Sequence, residues 1–184
     1  LTGSAKRKGT SALLAEEYQR GAEEVGHVVE IFRAGTGKVH GCTGCNHCEY
    51  GKNSCVFRDD MDVLNPKLLE ADVIVIASPI YYWGISSQLK AVIDRFQRYF
   101  EARFARGIRP AISTHRDAVL LLTMGRYDPF AVEVCEKTLR QSFSVMNTTL
   151  KKTVVLPDTD RADCENSAIF AKAQEIAIEI ARKL

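Results

Sequence analysis

Val73-Ile74-Val75-Ile76-Ala77 constrains this chain more than any other stretch. Five apolar residues in a row, four of them β-branched, leave no polar face for water. Such a run fits a strand buried on both faces, and that burial is the habit of parallel sheets covered by helices. Pro79 has no N–H to give a ladder, so the strand is expected to end there. Ile80-Tyr81-Tyr82-Trp83-Gly84 follows at once. Ser86 then reads as an N-cap, with Leu89, Val92, Ile93 and Phe96 at helical spacing to at least Arg98. Open parallel sheets bind ligands beyond the carboxyl ends of their strands. The aromatic loop is therefore either a platform for a flat ligand or a turn whose rings cap the core.

The rest of the chain repeats the alternation. Leu1-Thr2 reads as the stub of a first strand, so residues upstream are expected. Helix is predicted over Ser11 to Val25, strand over His27 to Phe32, and helix from Arg58 to about Glu70, with Pro66 inside it. Strand is predicted over Ala118 to Thr123, helix over Phe130 to Met146, and strand over Thr153 to Leu156. A terminal helix over Asn166 to Leu184 would turn Ile169, Ala173, Ile176, Ala177 and Ile180 to one face. Five alternations predict an α/β three-layer sandwich on a five-stranded parallel sheet, a single domain over residues 1–184. Arg33 to Phe57 is a long irregular stretch after the second strand, and a loop of that length inside a compact domain is usually functional. Tyr99 to Arg116 is read least well. With Phe96, Phe100 and Phe104 at fourfold spacing among five arginines, it is expected to pack on a partner subunit.

Three segments carry chemistry. Gly3-Ser4-Ala5-Lys6-Arg7-Lys8-Gly9-Thr10-Ser11 joins the first strand to the first helix. A helix N-terminus presents unpaired N–H groups and partial positive charge. Ser4, Thr10 and Ser11 add hydroxyls, and Lys6 and Arg7 add charge-assisted donors. The loop is neither a Walker A sequence nor a dinucleotide fingerprint; it fits one phosphate monoester, or is a solvated basic turn. Cys42, Cys45 and Cys48 stand at successive two-residue gaps and Cys55 follows after six more. Four thiolates meet the ligand count of a [4Fe–4S] cluster. Structural zinc also takes four cysteines, but usually from two separated knuckles, so the run-together spacing leans towards iron–sulfur. Free thiols in a loop are the remaining alternative. The third segment, Thr123-Met124-Gly125-Arg126-Tyr127, leaves the next buried strand beside the aromatic loop, where Gly125 would let a ring approach the backbone. Cys135 and Cys164 read as packing residues. His27 and His115 read as exposed, and His40 and His47 as possible substitute metal ligands.

Composition removes other classes. A net charge of +2 gives no field for nucleic acid or an anionic membrane, and no apolar run approaches the roughly 20 residues a bilayer needs. Clustered thiols in a chain with a real core argue for a reducing, cytoplasmic compartment rather than a disulfide framework.

Taken together, Gly3 to Ser11, the four clustered cysteines with Asp59-Asp60-Met61, and Ser78-Pro79-Ile80-Tyr81-Tyr82-Trp83-Gly84 with Ser86, Leu89-Lys90 and Ile93-Asp94-Arg95 resemble the flavodoxin-like NAD(P)H-dependent FMN reductases. Within them the chain looks most similar to the iron–sulfur flavoproteins. The likeness runs to about Arg95 and resumes from Leu120 to Tyr127. It implies a flavodoxin-like fold with FMN, its phosphate on Ser4, Lys6, Arg7, Thr10 and Ser11. The ring would rest on Pro79, Ile80, Tyr81, Tyr82, Trp83 and Gly84, with Ser86 near, and on Met124 and Gly125. It further implies hydride transfer from NAD(P)H to FMN and on to a quinone, a flavin or another small-molecule acceptor, or to a cluster on Cys42, Cys45, Cys48 and Cys55, in a homodimer or homotetramer. Two rivals stand beside it. Flavodoxin-type electron carriers tend to be strongly acidic, which this chain is not. A zinc-stabilised binding module on the same scaffold would use the cysteines without a flavin.

Overall fold

A computed structural model describes residues 1–50, 54–161 and 164–183, the side chains of Glu165 and Ile169 apart. The elements are α1 (Thr10–Glu23), α2 (His47–Tyr50), α3 (Met61–Glu70), β1 (Val73–Tyr81), β2 (Gly84–Ile85), α4 (Ser87–Asp94), α5 (Gln97–Phe104), β3 (Arg116–Thr123), α6 (Pro129–Ser144), β4 (Thr148–Leu156) and α7 (Ala168–Ala181). The sheet order is β2-β1-β3-β4, with β1, β3 and β4 parallel and β2 antiparallel to β1. Thr2 forms single parallel bridges to Ala77 on one side and Arg33 on the other. Backbone bonds from Gly3 N to Ala77 O (2.8 Å) and from Thr2 N to Phe32 O (2.9 Å) hold it there.

The expected five-stranded parallel sheet is therefore a mixed four-stranded one, with its first two positions reduced to bridges. His27 to Phe32 is not a strand, because the opening segment meets this stretch only beside Thr2. Pro79 does not end β1. It stands opposite Thr123 as the last pair of the ladder with β3, and the strand continues to Tyr81 by pairing backwards onto β2. β4 begins earlier than expected because its first half alternates buried Thr148 and Leu150 with exposed Thr149 and Lys151, as an edge strand does. The expected end of the last helix at Leu184, the part of the cysteine loop at Gly51 and the side chain of Ile169 lie outside the described residues. Ile176, expected on the inner face of that helix, is exposed.

Strand side chains alternate between two cores, as a period of two requires. Ile74, Ile76, Ala118, Leu120 and Leu122 face Leu64, Leu89, Val92, Leu139 and Phe143 of α3, α4 and α6. Ala77, Val119, Leu121, Val154 and Leu156 face Leu14, Tyr18, Phe170, Ala173 and Ala177 of α1 and α7. Helices cover both faces of the sheet, which is why β1 and β3 need no polar side. Fully buried Arg116 donates to the carbonyls of Leu68 and Met146, satisfying chain that leaves α3 and α6. Among the described residues no helix is long and apolar enough to cross a membrane.

The turn after Arg33 presses on the opening loop. A Cβ on Gly35 would lie 1.9 Å from the carbonyl oxygen of Ser4. Backbone must move to admit a side chain, so Gly35→Ala is expected to destabilise the protein by about 2 kcal/mol, read from urea unfolding.

Candidate functional site

Because Thr2, β1 and β3 run parallel, the segments leaving them emerge on one edge of the sheet. The first is the loop into α1. Gly9 caps this helix without a side-chain bond, and the N–H groups of Thr10 and Ser11 have no acceptor among the described residues. Ser4 Oγ, nearly buried, accepts the Lys6 N–H at 3.2 Å and lies 2.9 Å from where a Cβ on Gly9 would be. Lys6, Arg7 and Lys8 are exposed and form no ion pair with a described residue. Free N–H groups and unneutralised cations at one helix start suit a phosphate. Cys164, read as packing, is buried with Sγ 3.9 Å from Thr10 Oγ1.

The second segment is a hairpin. Tyr82 (φ +46°) and Trp83 (φ +59°) form the two-residue connection between β1 and β2. Two positive φ values mark a type I′ turn, normally Asn-Gly. Two bulky aromatics there are strained, at about 1 kcal/mol or more each, a cost that clusters at functional sites. Trp83 Nε1 donates to Asp128 Oδ2 at 2.8 Å. Burial pushes the Cys135 thiol up to about 11, and its Sγ donates to the Trp83 carbonyl at 3.8 Å.

The third segment faces the hairpin. Ile80, Tyr82 and Trp83 on one side and Met124 to Asp128, Pro129 and Ala131 on the other enclose an open cleft of about 560 Å³. That volume is in the range of small-molecule sites. Arg126 is the cation on its wall.

Of the residues expected to bind the cofactor, the loop donors and the aromatic platform share this edge. Ser86 lies beneath it, with its hydroxyl spent on Gly3 O (2.7 Å) and Leu89 N (3.4 Å). Pro79 closes the ladder below the cleft, and Tyr81 and Gly84 flank the turn. The space over Gly125, expected to be open, is filled by the Asp160 carboxylate, an exposed side chain that can turn away. Sequence reasoning passed over Asp128, although Asp128-Pro129 before an apolar run is a helix-start signature.

The cysteines gather elsewhere. Cys42, Cys45, Cys48 and Cys55 line one cavity of about 290 Å³ with His47, Phe57 and Gln97. The Gly44 N–H points at Cys42 Sγ, 3.5 Å away. Burial, then Glu101, Cys42 and Cys55, push the Cys48 thiol up. Among the described residues no three metal-ligating side chains converge on a single-ion site. Both ends of this loop are tied down by one knot. Asp59, half-buried, pairs with buried Arg95 at 2.6 Å and accepts the N–H groups of His40 (2.9 Å) and Met61 (3.1 Å). Arg95 also donates to the His40 carbonyl at 2.9 Å and lies over Phe57, whose ring stacks on His40. His40, read as a substitute ligand, is thus part of the anchor, while His47 lines the cavity. His27 and His115 are exposed as read.

Residues 1–160 match the sequence pattern of the NADPH-dependent FMN reductase family. The chain belongs to that family. An iron-sulfur flavoprotein of Archaeoglobus fulgidus is 35% identical over 99 residues, 54% of this chain and 44% of that protein. An iron-sulfur flavoprotein of Methanocaldococcus jannaschii is 38% identical over 96 residues, 52% and 49% of the two chains. The chain spans about half the length of the curated relatives it matches. Among solved structures, an NAD(P)H:quinone oxidoreductase from Methanothermobacter marburgensis superposes with a TM-score of 0.72 at 18% identity, covering 99% of this chain and 93% of that one. An FMN-dependent NADH-azoreductase from Bacillus anthracis, solved in complex with FMN, gives 0.65 at 14% identity, covering 99% and 96%. These likenesses establish a flavodoxin-like α/β fold for this member of the FMN reductase family.

The knot has a testable sign. Burial works to raise the Asp59 carboxyl, but Arg95 and the two N–H groups outweigh it and hold it below the usual carboxylate range. A depressed carboxylate stabilises above its unfolded value, and that stability is lost as pH falls through the folded one. Asp59→Asn leaves Arg95 buried without a counter-charge and is expected to cost about 3 kcal/mol at pH 7. In urea unfolding, the gap to wild type should narrow below about pH 4.

Proposed function

We propose that the chain is an FMN-dependent NAD(P)H oxidoreductase that reduces a small acceptor such as a quinone or a free flavin. One observation carries this: an anion-ready helix start and an aromatic cleft open on the same edge of the sheet, in a member of the FMN reductase family. When bound, FMN supplies the hydride and electron chemistry. The chain's residues bind and orient. Ser4, Lys6, Arg7, Thr10 and Ser11 would hold the phosphate, and Pro79 to Gly84 with Met124 and Gly125 would hold the ring. The N–H groups from Tyr82 to Gly84 are the donors for its reacting edge.

The four cysteines line one cavity, which supports a shared centre, and their run-together spacing leans towards a cluster over zinc. Relatives named iron-sulfur flavoproteins support the same reading. Phe100 and Phe104, exposed on α5 with Arg103 and Arg109 over the Phe104 ring, supply a face for a homo-oligomeric contact.

Flavin fluorescence titration should give FMN at least about 100-fold tighter binding than riboflavin, which lacks the phosphate. Loaded protein should then oxidise NAD(P)H continuously with a quinone present; one turnover and no more would favour a carrier. Protein purified without oxygen should hold about four iron and four acid-labile sulfide per chain, and Cys45→Ala should lose the iron while retaining FMN binding.

A further inference from the structure

The two walls of the cleft come from different parts of the chain, and one carboxylate joins them. Asp128 Oδ1 accepts the N–H groups of Phe130 at 2.9 Å and Ala131 at 3.4 Å, and so caps α6. Its other oxygen, Oδ2, accepts the Trp83 indole N–H. From the helix body, Cys135 reaches the Trp83 carbonyl. Trp83 sits in the left-handed region, which a residue with a Cβ leaves unless its surroundings hold it there.

We propose that Asp128 is a positioning residue. By fixing Trp83 to the start of α6, it sets the gap between the hairpin and the Met124–Asp128 wall, so a flat ligand meets a preformed slot. Preformed walls raise affinity by removing the ordering cost on binding. The ligand in this inference rests on the flavin reading above; the lock itself, a contact between two protein side chains, does not.

Chemistry offers a selective break. A carboxylate has two acceptor oxygens, and an amide has one oxygen and an NH₂ that only donates. Asp128→Asn therefore keeps the cap, at which Asn equals Asp, and loses the indole acceptor. Asp128→Ser also caps, and is too short to reach the indole. Trp83 is the sole tryptophan, so tryptophan emission reports the surroundings of this residue. In ligand-free protein both variants should keep the thermal midpoint while Trp83 emission shifts to the red and its anisotropy falls. FMN should bind about tenfold more weakly to Asp128→Asn. Trp83→Phe keeps a ring without the N–H, and adding Asp128→Asn to it should weaken FMN no further. Unchanged emission in both Asp128 variants, or additive losses in the double variant, would overturn the proposal. Should wild-type protein take up no FMN, the flavin reading fails and the emission arm still decides the lock.

Discussion

Ser86 holds the two halves of the functional edge at a fixed distance. Its hydroxyl donates to Gly3 O at the exit of the opening segment and accepts Leu89 N at the start of α4. Its own N–H goes to Ser78 Oγ in β1. All of this is buried, where hydrogen bonds are strong and an unmade one is costly. No side chain fits at Gly3, since a Cβ there would lie 2.5 Å from Ser86 Oγ. The basic loop and the aromatic hairpin are therefore positioned by one seam and cannot drift independently.

From that seam α4 runs to the second site. Eight helical residues rise about 12 Å and end at Arg95, which pins the cysteine loop through Asp59 and His40. The helix has the aromatic cleft at one end and the cysteine anchor at the other. Its apolar side, Leu89, Val92 and Ile93, is buried against the sheet, so both ends share one rigid support. The hairpin carries strain where Tyr82 and Trp83, both at positive φ, project from that support.

What the sequence made legible was local. The apolar runs of β1 and β3, the Ser86 cap and the existence of helices α1, α6 and α7 follow from residue type and spacing, and they fix the layers. Features made by distant partners were not legible. Asp59 and Arg95 are 36 residues apart, and Trp83 and Asp128 are 45 apart, so no periodicity joins them. The Tyr82-Trp83 turn carries none of the Asn-Gly chemistry by which hairpins are recognised, so nothing local announces β2, and Pro79 reads as a stop only because it lacks an N–H. The second strand was predicted from composition, but a strand exists only where a partner runs beside it.

A crystal structure of the protein grown with FMN tests the central claim most directly. The account predicts a phosphate within hydrogen-bond reach of the Thr10 and Ser11 N–H groups, and a tricyclic ring in the cleft between Trp83 and Met124. Flavin density elsewhere, or an empty cleft at saturating FMN, would contradict it.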